Sequence, residues 1–492
     1  MEIELKFQLS EASHKALEAV LRSEGAQSQT LIAKYFDTPE RDLARAGMSL
    51  RLRKESRVWF QTLKSPSGAA SAAREEHEVR LGVMPEPKID LSHYLGTDTG
   101  NKLERLLQHS ESGKLACRYT TDIRRVHIRA GLRTCVEYAL DSGKISAKPR
   151  GRRTPIELSV SEIELELVSG PVSGLFTFAR KILREYEAWI DVRSKAQRGD
   201  TLAGGKLITS PAKAGSLRVE NSSLKALIVA ALRDCTRQVL QNASQIASSE
   251  GGGAEHIHQL RVGLRRLRSA ISLFGKFGGD KLINWEPHAK SLTSSLGSNR
   301  DIDMMAESIW PHLREANAPL VELPMADTLR SPANLIRDPK VQQWLLDLIA
   351  FEFRLSDDVV DGDWTLLIPV ISGWYRQCRT GATQFHSLDV AKRHRLRKRL
   401  KQLRYAIQFI EPELPPKQYR RYAKVLTSAL DDLGQYNDLQ VALKNYLEFA
   451  ETDHRAWFAV GWIKAQITEA ELRCEKSLLI FYDAHPPWVA HI

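Results

Sequence analysis

The sequence predicts an α+β chain of two domains, an N-terminal antiparallel β domain with flanking helices and a C-terminal all-α bundle with an internal duplication. Three observations predict it. From Met1 to about Asp200, polar and apolar residues alternate in short runs broken by Gly, Pro, Ser and Asp clusters, the pattern of half-buried strands. After about Ser222, apolar residues recur at three- and four-residue spacing over long stretches, the pattern of amphipathic helices. Between them, residues 202–216 are rich in Gly, Ala, Ser and Pro, as a linker is. The reading therefore places one domain at 1–205, a linker at 206–221 and a helical domain at 222–485, with repeats at about 222–320 and 365–485.

The first strand sets the theme of the N-terminal half. Glu2, Glu4 and Lys6 share one face, and Ile3, Leu5 and Phe7 share the other. Charged faces return at Arg51 and Arg53, at Lys64, at Arg74, Glu76 and Glu78, at Arg118, Asp122 and Arg124, at Glu137 and Asp141, and at Glu162, Glu164 and Glu166. One such face is ordinary for a sheet with a solvated side. The succession, with Glu on the first and last strands and Arg or Lys between, instead suits a sheet that curls around its charges. Helices expected at about 12–25 and 174–189 would then cover the apolar outer side. A polar tunnel of this kind fits a metal polyanion, because carboxylates are hard ligands for Mg²⁺ or Mn²⁺ and Arg and Lys match phosphate oxygens. Asp141, just before Ser142 and Gly143, has a competing reading as a turn residue.

These residues resemble the CYTH or triphosphate tunnel metalloenzyme family, whose mark is an N-terminal ExExK, met here by Glu2, Glu4 and Lys6. The resemblance covers roughly 1–200 and is supported by Tyr35-Phe-Asp-Thr-Pro39, Arg51 with Arg53, the Glu162, Glu164 and Glu166 strand, and Ser194, Lys195 and Arg198. It implies an eight-stranded antiparallel tunnel and metal-dependent chemistry on triphosphates, most similar to the bacterial branch that prefers inorganic tripolyphosphate. By resemblance, Glu2, Glu4, Glu162 and Glu164 hold the metal, and Lys6, Arg51, Arg53, Lys64, Arg118 and Lys195 hold the phosphates. Lys6 counts among the catalytic groups too, and Glu76, Glu78, Glu137 and Asp141 are the carboxylates open to the role of orienting or deprotonating water. An RNA 5′-triphosphate, thiamine triphosphate, a nucleoside triphosphate or cyclisation of ATP would use the same chemistry, and a noncatalytic polyphosphate-binding scaffold is the reading from another class.

The helical half writes one basic stripe twice. His258, Arg261, Arg265 and Arg268 lie at steps of three and four, and His394, Arg397, Lys401 and Arg404 repeat the spacing 136 residues later. The parallel apolar stripe Leu260, Leu264, Leu267, Ile271 and Phe274 is repeated by Leu396, Leu400, Leu403, Ile407 and Ile410. Two cationic stripes repel one another unless an anion offsets them. Few aromatics interrupt them, Tyr405 being the nearest, so a phosphate chain is favoured over nucleic acid. The doubled HxxR resembles the CHAD family over about 222–482, helical domains that commonly follow CYTH domains and bind inorganic polyphosphate. Each histidine lies beside Arg, which disfavours a metal there. Arg300 and Asp301 answer to Asn437 and Asp438, and both aspartates are expected to cap or pack the ends of the repeats. Residues 318–363 are expected to bridge the repeats.

Composition bounds the rest. The 492 residues carry 71 Lys and Arg against 60 Asp and Glu, a net +11 that favours acidic partners. At 42% hydrophobic and 27% charged, most of the chain is expected to fold. Five cysteines without a CxxC pair, no secretory signal and no apolar run of membrane length point to a cytoplasmic protein, with association to polyphosphate granules a further expectation. The absence of GxxxxGK[ST] and HExxH excludes P-loop motors and zincin proteases.

Overall fold

A computed structural model describes residues 2–66, 73–217, 219, 222–278, 282, 284–297, 305–306, 308–319, 321, 331–354 and 359–488, the side chains of residues 2, 73 and 74 excepted. Two compact units emerge. The first gathers residues 1–213, 236–260 and 332–354, and the second gathers 214–235, 261–331 and 355–492.

The first unit is built on β1 (Glu2–Gln8), β2 (Gln27–Asp37), β3 (Ser49–Glu55), β4 (Val58–Pro66) and β5 (Ala73–Gly82). They are joined by β6 (Ala116–Ala130), β7 (Cys135–Ala147), β8 (Ile156–Ser169) and the two-residue β9 (Trp189–Ile190). All pair antiparallel in the order β5-β4-β3-β2-β6-β7-β8-β1-β9. The strands therefore number nine, not the expected eight, because β9 adds to β1 through Phe7 and Gln8. The sheet curls until β5 meets β1 through only Glu2↔Arg74 and Ile3↔Ala73, so it is not closed along its length.

Period-two chemistry decides which side is covered. Ile3, Leu5, Phe7, Ile163 and Leu165 are buried on the outer face, where α1 (Glu11–Ser23) and α4 (Val172–Tyr186) pack. Ser10 caps α1 by accepting from Ser13 N at 3.1 Å. On β3 and β4, Leu50 and Leu63 pack with Leu43 of α2 (Asp42–Arg45) and Leu103 of α3 (Asp98–Gln108). The inner face holds the charges at one end and an apolar patch at the other. There Leu31, Ala33, Tyr35, Tyr119, Ile123, Ile145, Leu158 and Val160 pack with Leu202 and Ala203 of α5 (Lys195–Ala203). A capping box of Ser194 and Gln197 starts α5, and Gly199 lets it rest on Tyr119, since a Cβ there would lie 2.2 Å from the ring.

Helices α6 (Leu224–Ala247) and α7 (Ala254–Phe274) each contribute to both units. The short α8 (Glu286–Ser295) and α9 (Trp310–Glu315) follow, then α10 (Pro332–Arg337) and α11 (Pro339–Glu352). Instead of serving only as a bridge between repeats, α11 packs on α4 and β9, and its Gln342 accepts from Ile190 N at 2.7 Å. The second unit is completed by α12 (Ile368–Thr383), α13 (Val390–Phe409), α14 (Pro416–Ala450) and α15 (Ala456–Asp483). In it Phe274 of α7 and Phe409 of α13 touch, ring centroids 5.6 Å apart. All five cysteines are free thiols, and no described helix is long and apolar enough to cross a membrane.

Candidate functional site

Register assembles the inner face in rows. Gln8, Glu162 and Asp141 face one another across β1, β8 and β7, with Arg125 of β6 next. Lys6, Glu164 and Ala139 form the second row, and Glu4, Glu166 and Glu137 the third. On the other wall, Thr62 stands between Arg51 and Glu78, and Lys64 pairs with Glu76.

The first row is saturated with internal partners. Asp141, fully buried, accepts two hydrogen bonds of 2.7 Å from Arg125 and lies 2.7 Å from Lys195 Nζ. The same ammonium lies 2.5 Å from Glu162 Oε1, as an ion pair without hydrogen-bond alignment, and donates to Glu164 at 2.9 Å. Arg198 bonds the other Glu162 oxygen, to which Gln8 also donates at 2.9 Å. Burial alone would raise Glu162, yet Arg198, Lys195 and Lys6 outweigh it and pull the carboxyl down to about 2. Glu164 is likewise driven well below the usual range against its burial, by Lys195, Arg125 and Lys6. Although burial disfavours its charge, Lys195 is raised by Asp141, Glu162 and Glu164.

The third row has the opposite balance. Glu166 is raised by burial first and then by Glu137 and Glu4, and it makes no hydrogen bond or ion pair among the described residues. Glu4 lies 3.8 Å from Lys6, and Glu137 accepts from Arg129 at 2.8 Å. Asp141, Glu162 and Glu164 bring oxygens within 4.8 Å of one another, but Lys195 sits among them. A divalent cation at the third row would have to draw its carboxylates together around Glu166, the one of the three without a cationic partner among the described residues, since Glu4 lies by Lys6 and Glu137 by Arg129.

The cationic wall lies on β3 and β4. Arg51 donates to the Tyr35 hydroxyl at 3.4 Å and lies 3.5 Å from Glu76, which Lys64 approaches at 2.8 Å. Arg53 lies 2.6 Å from Glu55 and 2.9 Å from Glu78. Burial and then Arg51 lower the Arg53 pKa, against Glu78 and Glu55. Tyr35 stacks on Tyr119 with centroids 4.7 Å apart.

Several expectations need correction. Asp141 is no turn residue but lies within the continuous β7, where Gly143 imitates a turn signal while making room for the Asp122 carbonyl, 2.1 Å from any added Cβ. On β6 the inward face is Tyr119, Thr121, Ile123 and Arg125, opposite to the phase read from sequence, and Arg124 instead binds Glu18 of α1 at 2.7 Å. Arg118 is the extra residue where the pairing of Tyr35 and Phe36 with β6 shifts. Asp438 and Asn437 lie inside α14 and cap nothing, while Arg300 and Asp301 fall outside the described residues. Glu2 is placed on β1, its side chain outside the described set. Arg125 was missed because Arg124 beside it gave either phase equal weight. Gln8, also missed, continues the Glu4 and Lys6 face.

The duplicated stripes follow α7 and α13. His258 is exposed, and Arg261, Arg265, Arg268, His394, Arg397, Lys401 and Arg404 are half-buried. Arg261 donates to the Leu296 carbonyl at 2.8 Å, and Arg268 lies 2.6 Å from Glu286. His394 Nδ1 lies 2.6 Å from Asn437 Oδ1, so Nδ1 carries the proton there. Burial lowers the His394 pKa, with Lys398, Arg397 and Lys401 adding to it against the Asn437 bond.

This arrangement agrees with what the chain resembles among known proteins. Residues 1–199 match the CYTH domain and residues 230–445 match the CHAD domain. The chain is a CYTH domain followed by a CHAD domain. The CYTH part is 30% identical over 178 residues to the inorganic triphosphatase of Haemophilus influenzae, an alignment covering 36% of this chain and 46% of that protein. An uncharacterised Mycobacterium tuberculosis protein is 24% identical over 97% of this chain and 95% of its own. Among solved structures, the CHAD domain of the plant Ricinus communis aligns with TM-score 0.47 and 24% identity, covering 56% of this chain and 98% of that one.

Proposed function

We propose that the CYTH domain hydrolyses inorganic tripolyphosphate to pyrophosphate and phosphate with Mg²⁺ or Mn²⁺, and that the CHAD domain holds long-chain polyphosphate. The observation that carries the first part is the arrangement of charge on one concave face, with Arg51, Arg53 and Lys64 on one wall and the carboxylate row of Glu4, Glu137 and Glu166 on the other. The Haemophilus influenzae relative bears on the same domain, and CYTH tunnel enzymes are metal-dependent.

In this reading Glu4, Glu137 and Glu166 hold the metal, with Glu2 beside Glu4 along β1 and Glu164 bordering the row. Glu162 serves as the anchor of Lys195 and Arg198. The metal supplies neutralisation of phosphate charge and an activated water. Lys6, Arg51, Arg53, Lys64 and Lys195 bind and orient the phosphates, with Arg118 as an outer contact. Glu76 and Glu78 fix Lys64 and Arg53 in place, and Asp141 fixes Arg125 and Lys195. Water adds to a terminal phosphorus, the bridging P–O bond breaks, pyrophosphate leaves with the electron pair, and the water proton passes to the carboxylate row. In the CHAD domain, the two stripes attract polyphosphate by charge, the arginines and Lys401 donating to its oxygens.

The test is phosphate release by the full chain from tripolyphosphate, ATP, thiamine triphosphate, an RNA 5′-triphosphate and long-chain polyphosphate, with Mg²⁺ or Mn²⁺ and with EDTA. Metal-dependent turnover highest on tripolyphosphate and lost in Glu4→Gln supports the reading. Preference for another triphosphate would move the substrate, and no turnover on any would leave a binding scaffold.

A further inference from the structure

A line of buried polar side chains runs from helix α6 to the inner sheet face, all within the first compact unit. Gln245 has no exposed surface. Its Oε1 accepts from Arg193 Nη1 at 2.7 Å and from Thr209 N and Oγ1 at 3.0 and 2.6 Å. Its Nε2 donates to the Gly251 carbonyl at 2.7 Å and to Ser248 Oγ at 3.2 Å, pinning the turn between α6 and α7. Arg193, 5% exposed, grips Asp191 through Nε at 2.9 Å and Nη2 at 2.8 Å, helped by its own backbone N at 2.9 Å. Fully buried Asp191 also accepts from Gln8 Nε2 at 3.2 Å, and that same amide reaches Glu162, the partner of Arg198 and Lys195.

Buried charges are tolerated only while fully paired, and an Arg donor that loses its acceptor in a dry site costs enough to turn the side chain. Arg193 divides its hydrogen bonds between Asp191 and Gln245, with a Glu250 oxygen 3.8 Å from Nη2. Without Gln245, Nη1 must find another acceptor, Asp191 moves with the guanidinium, and Gln8 loses the second carboxylate that fixes its amide. Glu162 then loses one of the groups that aim it at Lys195. We infer that Gln245 is a positioning residue for the tunnel face, acting through Arg193, Asp191 and Gln8 on Glu162 and Lys195. Its kinetic consequence rests on the tripolyphosphatase reading. It also makes part of the segment matched by the CHAD family a structural requirement of the CYTH site.

The test compares full-length wild type with Gln245→Leu, Gln245→Asn and Gln245→Glu. Leucine removes every bond, asparagine is one methylene too short to reach Arg193, and glutamate keeps the acceptor toward Arg193 while losing the donor to Gly251. Two readouts are taken, kcat/KM on tripolyphosphate with Mg²⁺, and hydrogen–deuterium exchange over residues 156–169 and 195–203. We expect kcat/KM to fall roughly tenfold or more in the leucine and asparagine variants, as small displacements at a distance do. Glutamate should restore it to within about threefold of wild type, and faster exchange in both segments should appear only in the first two. Equal behaviour of asparagine and glutamate, or wild-type exchange in all, would overturn the inference. If leucine fails to fold, asparagine against glutamate still decides. If wild type does not turn over tripolyphosphate, the functional reading fails by itself and the exchange comparison still judges the positioning role.

Discussion

Arg125 holds Asp141 in a two-point clamp across neighbouring strands, Nε to Oδ1 and Nη2 to Oδ2, each 2.7 Å. The carboxylate is fully buried and shared with Lys195, so it serves two cations at once. Asp141→Asn keeps the shape but removes the charge. It should destabilise the protein by about 3–5 kcal/mol, the cost of breaking a buried pair, read by urea denaturation, and lower tripolyphosphate turnover because Lys195 loses an anchor. Unchanged stability would mean that the two cations find other partners.

Glu166 makes the contrary prediction. Burial and the neighbouring Glu137 and Glu4 raise its carboxyl, so its ionised form destabilises the metal-free fold. Glu166→Gln should therefore raise the melting temperature in EDTA while weakening Mn²⁺ binding in calorimetry. A simple structural carboxylate would give a lower melting temperature and unaltered Mn²⁺ affinity.

These two residues also show how far the sequence could be read. The faces of β1 and β8 were legible because Ile3, Leu5 and Phe7, or Ile163 and Leu165, fix the phase of the alternation, so Glu4, Lys6, Glu162, Glu164 and Glu166 fall on one side without ambiguity. Strand β6 has charges in both phases, Arg118, Asp122 and Arg124 in one and Arg125, His127 and Arg129 in the other, and local pattern cannot choose between them. Gly143 after Asp141 looks like a turn, and only the close approach of β6 shows why a glycine stands within a strand. The two residues of β9 are too few for any period, and their pairing is set by tertiary contacts with Gln342 and β1. The helical stripes were plain because α7 and α13 carry the same spacing.

Acid should act through Glu162. Its folded carboxyl is lowered from 4.5 to about 2, burial opposing and Arg198, Lys195 and Lys6 prevailing. A depressed carboxyl contributes stability that is fully present above its unfolded value and is lost as pH falls from about 4.5 toward 2. Urea midpoints measured from pH 6 down to pH 2 should fall through this window in wild type, and Glu162→Gln should be less stable at neutral pH and flatten that part of the fall. Parallel curves for the two proteins would assign the acid sensitivity to other carboxylates.

The basic stripes make the last prediction, in the second compact unit. Arg265 on α7 and Arg397 on α13 each belong to one of the two basic stripes, Arg265 answering to Lys401 and Arg397 to Arg261 in the other repeat. Reversing either charge in the full chain should cut the affinity for long-chain polyphosphate roughly tenfold or more and make the dependence of log K on log salt shallower, as loss of a phosphate contact does. Lys444→Glu, at an exposed site on α14 where Lys444 lies 3.9 Å from Glu448, changes net charge equally and should leave the affinity near that of wild type. Titration at several salt concentrations separates the outcomes. If all three reversals weaken binding alike, the polyphosphate responds to the overall +11 charge of the chain and not to the stripes.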